Sequence, residues 1–290
     1  MSLVKLNEIL DAADRGGYAV PAVNAYNADT VIAMLEAARE ARSPIIVQAY
    51  DRLFDSDKEY GVLHNARAVA AITRELAADT DLPVALHVDH GTGTDTILRA
   101  IRWGYTSAMI DGSTLDFEGN VALTKQVVSM CNTAGGLPVE GELGHVGSAR
   151  SGDEATGALT VPEEAAEFVR LTGVYALAVM VGSAHGRYKL PPKLNIGRIA
   201  EIKEAAGVPL VLHGGSGIPD DQIKLAIKAG IRKINYATDV ISAYYEPFRG
   251  KAYDDPIWAM APDNFVIEPI KSAKEFIIDR MNLCGCAGRA

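Results

Sequence analysis

The sequence has few of the features that mark secreted, membrane or nucleic-acid-binding proteins. Its three cysteines in 290 residues are too few for a disulfide framework, which is typical of a reducing cytoplasm. No apolar run approaches the roughly 20 residues of a membrane-spanning helix, and the first residues do not resemble a secretory leader. Positive charge is scarce, with 28 Lys and Arg against 37 Asp and Glu, a net charge of −9. We therefore expect a cytoplasmic protein that binds neither nucleic acid nor membranes.

What the chain does contain is a regular alternation of short β-branched strands and helices, which predicts parallel β-α-β units. Eight strands follow one another without a linker, at about 19–24, 45–48, 84–89, 107–111, 139–142, 176–181, 208–213 and 233–236. A doubly wound open sheet is the alternative, but it usually has fewer strands and one ligand crevice. Nearly every strand ends in a polar residue, as expected at the C-terminal rim of a barrel. We predict a single TIM-barrel domain, (β/α)₈, over residues 1–290, with a C-terminal extension from about 251 that carries one more helix.

Histidines stand at the C-terminal ends of three predicted strands. His90 follows the third strand, His185 the sixth and His213 the seventh. Because the C-terminal ends of barrel strands surround one cavity, we expect the three imidazoles to converge. Three protein ligands and one open position are typical of catalytic zinc. The sequence therefore predicts a Zn²⁺ site, with Glu142 after the fifth strand as an additional oxygen ligand or as a partner of the ligands.

Asp89 directly precedes the first of these histidines. Adjacent residues of a strand point to opposite faces, so Asp89 and His90 share a cavity only where the strand ends. A carboxylate at this point could bind the metal or act as an acid/base, and proton transfer is the favoured interpretation. His87, earlier on the same strand, is expected to donate a hydrogen bond in support of the site.

Glycine-rich and hydroxyl-bearing segments follow the last two strands. Gly214 and Ser216 lie in a loop that opens a helix, where backbone N–H groups can approach an anion. Strand eight ends at Asn235, and Thr238 follows at the start of another helix. Since the loops after strands seven and eight commonly bind phosphate in such barrels, these residues predict a phosphate site.

These motifs resemble the class II, zinc-dependent ketose-bisphosphate aldolases, and the resemblance covers essentially the whole chain. The strand-end motifs that carry it are PAVN at 21–24, HVDH at 87–90, VEGELG at 139–144, SAHG at 183–186, LHGGSG at 212–217 and KIN at 233–235. The tail CGCAGRA at 284–290 resembles the tagatose-bisphosphate members in particular.

The resemblance implies reversible cleavage of a ketose 1-phosphate or 1,6-bisphosphate to dihydroxyacetone phosphate and an aldehyde. Zinc would sit on the three histidines, Asp89 would move the proton of the C4 hydroxyl, and Asn24 would steady the enediolate. The family also implies a homodimer or homotetramer and, in many members, a monovalent cation, Na⁺ or K⁺, near the phosphate. The residues that would hold the dihydroxyacetone phosphate half are Gly186, Lys189, Gly214, Ser216, Asn235 and Thr238.

Departures from the family pattern concern the distal end of the substrate. Ala237 replaces an aspartate, which in the family goes with tagatose-type rather than fructose-type substrates, and Ile241 replaces an arginine. The loop after strand two is atypical, and the loop after strand five lacks the usual Gly-Gly followed by two acids. A ketose 1-phosphate with another distal group, such as a 6-sulfo sugar, is therefore an alternative substrate. The candidate distal-end residues are Gln48, Tyr50, Arg52 and Arg150.

Two rival functions also fit such a barrel. A Schiff-base aldolase would need a lysine at a strand end, but Lys233 lies deeper, before the end of strand eight. A non-catalytic barrel subunit that supports a partner aldolase could lose its acid or its ligands. Because Asp89 and the three histidines are all present, we prefer the hypothesis of an active enzyme over that of a non-catalytic subunit.

Overall fold

Eight parallel strands follow one another around a closed barrel, and β8 pairs with β1 to complete it. The computed structural model describes residues 3–54, 65–147, 159–249 and 261–290. The strands are β1 Val20–Asn24, β2 Ile45–Tyr50, β3 Val84–Gly91, β4 Ser107–Ile110, β5 Val139–Leu143, β6 Ala176–Val179, β7 Leu210–Leu212 and β8 Ile231–Tyr236. The prediction of a TIM barrel is confirmed, with strand ends shifted by a residue or two.

Helices surround the barrel. Over the described ranges they are α1 Leu6–Gly16, α2 Ala28–Ala41, α3 Asn65–Ala78, α4 Thr94–Trp103, α5 Phe117–Thr133, α6 Pro162–Thr172, α7 Ile196–Ala206, α8 Asp220–Ala229, α9 Thr238–Tyr245, α10 Pro262–Phe265 and α11 Ile267–Cys284. Short 3₁₀ turns span Asp51–Phe54 and Glu246–Phe248. In this described part of the chain, no helix is both long and apolar enough to cross a membrane.

The strands are almost entirely buried because helices cover the outer face and side chains fill the inner one. Their apolar residues form one continuous core with the inward faces of the helices. Each strand therefore presents polar groups to solvent only where it ends. This places the polar strand ends around one rim.

The C-terminal helix α11 packs on the outside of the barrel against α2, α9 and β1. It buries Ala273, Ile277 and Met281, and its last carbonyl, at Cys284, accepts from the N–H of Ala19 just before β1. The predicted extra helix is confirmed as α11. Residues 251–260 of the predicted extension lie outside the described ranges.

Candidate active site

A cavity of about 610 Å³ opens at the C-terminal rim of the barrel. An adjoining recess of about 90 Å³ reaches toward the loops after β7 and β8. Asp89, His90 and His185 line both spaces. Two of the predicted histidines therefore line both spaces, which share several further lining residues.

The three predicted histidines converge. Ring centroids lie 4.9 Å apart for His90 and His185, 4.6 Å for His90 and His213, and 5.8 Å for His185 and His213. One ligand atom from each ring lies within 4.8 Å of the others, a separation that one metal ion can span. The sequence correctly predicted which histidines meet.

Each ring is oriented by a hydrogen bond to one nitrogen. His90 Nδ1 is 2.8 Å from Asp111 Oδ2, and His213 Nε2 is 3.0 Å from Glu140 Oε1. His185 Nδ1 lies 3.2 Å from the carbonyl oxygen of Val146. Such contacts set the ring orientation of histidines that bind metals.

The other nitrogen of each ring is buried. Nε2 of His90 and Nε2 of His185 have no hydrogen-bond partner, and Nδ1 of His213 has only the carboxylate of Glu142, at 3.1 Å. Unpaired buried polar atoms are costly and rare, so two of them beside a third imidazole nitrogen call for a ligand. Three such nitrogens close together fit a catalytic zinc ion with an open position.

Glu142, predicted as an extra ligand or partner, lies against the same cluster. Its Oε2 is 3.1 Å from His213 Nδ1 and 3.8 Å from His90 Nδ1, while its Oε1 accepts from the N–H of Val146. His90, Asp111 and Glu142 also form a second possible ligand group. The carboxylate is therefore within reach of a cation held by the histidines.

The charges around the cluster favour a cation. Burial disfavours a charged His90, but the carboxylates of Asp89, Asp111 and Glu142 outweigh it and raise the pKa of His90 to about 10. Burial, reinforced by His90 and His213, lowers the pKa of His185 to about 4. Burial also disfavours a charged His213, but Glu140 and Glu142 outweigh it and raise the pKa of that ring. The carboxylates around the cluster thus favour positive charge there, which a bound metal ion would supply.

Asp89 is 6% exposed, and two amides hold its carboxylate. Asn24 Nδ2 donates to Oδ2 at 2.8 Å, and Asn235 Nδ2 donates to Oδ1 at 3.0 Å. Burial by itself would raise the pKa of Asp89, but positive charge on His90 and His213 lowers it below its ordinary value. Asp89 is thus an ionised, oriented carboxylate 3.9 Å from His90 Nε2.

Most of the predicted phosphate residues line the smaller recess. They are Gly186, Gly214, Ser216, Asn235 and Thr238. Lys189 is exposed and lines neither of the two spaces, so the structure does not bring it to the site.

Gly214 has a positive φ of 65° and passes close to the carbonyl of Ala184. A side chain at Gly214 would collide with that carbonyl, so the loop needs glycine at this point.

Of the predicted distal-end residues, Tyr50 and Arg52 line the large cavity, where Tyr26 and Ile241 join them. Gln48 does not line it, which corrects the prediction. Its side chain is fully buried and donates Nε2 to Asn24 Oδ1 at 2.9 Å. Gln48 therefore holds the side chain of Asn24, which does line the cavity, and is not itself exposed to it. Arg150 lies outside the described residues.

Other residues were not singled out from the sequence. Asp111 and Glu140 both hold a histidine of the cluster, and His145 lines the large cavity with Nδ1 3.1 Å from Ser113 Oγ. Glu140 had a signal, because it lies two residues before Glu142 and so faces the same side of β5.

Two other residues of the strands fall beneath the site. His87 is fully buried, with Nδ1 2.8 Å from Ser107 Oγ and Nε2 3.4 Å from Glu140 Oε2. Lys233 is fully buried, with its ammonium 2.9 Å from Glu140 Oε2. This ion pair and the position outside the cavity walls argue against a Schiff-base lysine.

Comparison with known proteins agrees with this geometry. The model of the family described as fructose-bisphosphate aldolase class-II matches residues 4–289. The structure is similar to the YdjI aldolase from Escherichia coli K12, with a TM-score of 0.85, 33% identity and 99% of each chain covered. It is also similar to a protein from Coccidioides immitis assigned as a fructose-1,6-biphosphate aldolase, with a TM-score of 0.85, 28% identity, and 98% of this chain and 97% of that chain covered. Fructose-bisphosphate aldolase (Fba) from Campylobacter jejuni shares the fold, with a TM-score of 0.80 and 23% identity. The match covers 100% of this chain and 97% of that chain.

Proposed function

Because this chain belongs to the class II fructose-bisphosphate aldolase family and is therefore a carbon–carbon lyase, we propose that it is a zinc-dependent aldolase acting on a ketose 1-phosphate or 1,6-bisphosphate. The products are dihydroxyacetone phosphate and an aldehyde, and the reaction is reversible. The observation that carries the proposal is the convergence of three buried histidine rings, with ligand atoms within 4.8 Å of one another, beside the oriented carboxylate of Asp89.

His90, His185 and His213 would hold the zinc ion, with Glu142 as an additional ligand or a partner of His213. Bound there, zinc would act as a Lewis acid that polarises the ketone and stabilises negative charge on its oxygen. The ligand set supports this choice, since neutral imidazoles with an open position suit zinc. A Na⁺ or K⁺ ion near the phosphate and a homodimer or homotetramer are further expectations from the family.

Asp89 is the proposed acid/base. In cleavage its carboxylate takes the proton of the C4 hydroxyl, the C3–C4 bond breaks, and its electron pair passes into the enediolate of dihydroxyacetone phosphate. In condensation Asp89 returns the proton to the new hydroxyl. Asn24 and Asn235 keep both carboxylate oxygens at fixed positions, so the transfer begins from an oriented group.

The phosphate of the dihydroxyacetone half is proposed to occupy the smaller recess. Gly186, Gly214 and Ser216 line it, and α9 begins at Thr238, so backbone N–H groups and a helix N-terminus face an anion there. Lys189 lies away from these groups, so we leave it out of the proposed phosphate contacts.

We propose a tagatose-type substrate before a fructose-type one because Ala237, which lines the large cavity, replaces the aspartate of the family's fructose-type members. Ile241, which also lines it, replaces an arginine and so removes one expected contact with a distal phosphate. A 6-sulfo ketose 1-phosphate is the second candidate. Arg52 fits this candidate equally well, since a guanidinium that lines the cavity can bind a sulfonate as well as a phosphate.

The test is a comparison of turnover by the zinc-loaded protein. Tagatose 1,6-bisphosphate, fructose 1,6-bisphosphate and a 6-sulfo ketose 1-phosphate are supplied separately, and dihydroxyacetone phosphate is measured. We expect release from at least one, with tagatose bisphosphate preferred over fructose bisphosphate. Release from none of them, but activation of a partner aldolase on mixing, would instead support the non-catalytic subunit.

A further inference from the structure

One buried ammonium group connects the two halves of the site. Lys233 on β8 is fully buried, and its Nζ donates to Asn235 Oδ1 at 2.8 Å and lies 2.9 Å from Glu140 Oε2. Asn235 contacts Asp89, and Glu140 contacts His213. We infer that Lys233 is a positioning residue that orients both the acid/base and a metal ligand from beneath the cavity.

The Asn235 arm follows from donor and acceptor chemistry. An amide side chain can be turned either way, but a lysine ammonium only donates and an ionised carboxylate only accepts. With Lys233 on one side of Asn235 and Asp89 on the other, the carbonyl must face the lysine and the NH₂ must face the aspartate. Without Lys233, Asn235 loses the group that keeps its NH₂ toward Asp89.

The Glu140 arm works in the same way. His213 Nε2 lies 3.0 Å from Glu140 Oε1, and because a carboxylate only accepts, this contact keeps a ring proton on Nε2 and leaves Nδ1 as the nitrogen that can bind a metal ion. The ammonium holds the other oxygen, Oε2. Lys233 thereby keeps the Glu140 carboxylate turned toward the ring.

A purely structural role is the competing explanation. A buried carboxylate without a counter-ion is strongly destabilising, so Lys233 could be present only to neutralise Glu140. The two explanations differ once both charges are removed together. In Lys233→Met/Glu140→Gln both charges are removed together, and the ammonium that donates to Asn235 Oδ1 is lost.

We would compare this double variant with the wild type and with Lys203→Met. Lys203 also pairs with an acid, Asp14, at 3.1 Å and donates to a carbonyl, that of Val208, but it lies on the outer helix α7. We expect the double variant to melt near the wild-type temperature while its kcat falls about 10- to 100-fold, with a smaller change in KM. A kcat within twofold of the wild type would overturn the inference, and Lys203→Met should keep kcat unchanged.

A second double variant keeps the test decisive if Lys233→Met/Glu140→Gln folds poorly. Lys233→Gln/Glu140→Gln retains an uncharged donor that can still reach toward Asn235. We expect it to regain part of the lost kcat relative to the methionine double variant. Equal activity of the two would contradict a role through the donated hydrogen bond.

The inference rests on the proposed function, so a readout without turnover is needed. Crystal structures of the wild type and of the methionine double variant should show whether Asn235 still donates to Asp89. We expect that bond to be lost or the amide to be turned in the variant, and an unchanged bond would overturn the inference. If the wild type cleaves no ketose phosphate, the proposed function is wrong, whereas the positioning role of Lys233 is still judged by the two crystal structures.

Discussion

Asp89 and His90 are neighbours in the chain, yet both side chains line the same cavity. His90 has a positive φ of 50°, and the pairing of β3 with β4 shifts register between Val88 and Gly91. A positive φ is unfavourable for a residue other than glycine, and such strain is often found at functional sites. The irregularity breaks the alternation of faces, so that one strand end supplies both a proposed proton carrier and a proposed metal ligand.

Removing metal should abolish activity. Treatment with EDTA should reduce cleavage to background, because it would remove the Lewis acid that stabilises negative charge on the ketone oxygen. Added Zn²⁺ should restore activity by binding to the three histidines again. The measurement is turnover together with bound zinc per chain. As a control, borohydride in the presence of substrate should not trap an adduct, because Lys233 is buried in an ion pair. Full activity of a metal-free protein would refute the zinc proposal.

Replacing Asp89 should separate chemistry from metal binding. In Asp89→Asn the carboxylate that takes the C4 proton is lost, and we expect kcat to fall by about 10²- to 10⁴-fold. Zinc content should stay at the wild-type level, since the three histidines are untouched. Asp221→Asn, an exposed change on α8, is the matched control and should leave kcat unchanged. If the Asp89 variant kept its turnover, the assigned role would be wrong.

A methyl group at Gly214 should damage the phosphate loop. Gly214→Ala places Cβ against the backbone carbonyl of Ala184 at a positive φ, so the loop must shift. We expect a loss of more than about 1 kcal/mol in the free energy of unfolding and a raised KM for phosphorylated substrates, measured by denaturant melts and steady-state kinetics.

Gly197→Ala is the control for this prediction. Gly197 lies in α7, where an added Cβ meets only ordinary contacts. Since alanine is the better helix former, this variant should be stabilised by about 0.5–1 kcal/mol with an unchanged KM. Equal effects of the two glycine changes would contradict the steric argument.

Replacing Arg52 should weaken binding of the distal end of the substrate and leave the chemistry at the dihydroxyacetone phosphate end unchanged. Arg52→Gln removes the cation at the cavity mouth, so KM for anionic ketose 1-phosphates should rise about tenfold, the loss of about 1.4 kcal/mol of binding. Exchange of the carbon-bound hydrogen of dihydroxyacetone phosphate with solvent should be unchanged, because it uses only the other end of the site. Arg102→Gln, exposed on α4, should alter neither measurement.

The sequence by itself determined the architecture and which three histidines come together at the rim. Strands 84–91 and 210–212 are largely apolar because parallel barrel strands are buried on both faces. His90 lies at the end of the first of these strands, and His213 directly follows the second. Since strand ends in a closed barrel share one rim, their convergence followed from local pattern alone.

Only the tertiary structure decided which groups hold the site in place. Gln48 was expected at the distal end but lies beneath Asn24, and Lys233 was considered only as a nucleophile but bridges Glu140 and Asn235. The periodicity of a strand says which face a residue occupies, but not which side chain from another strand meets it there. Those partners come from the register and stagger of closed strands, which bring Lys233 and Glu140 together although they are far apart in the chain.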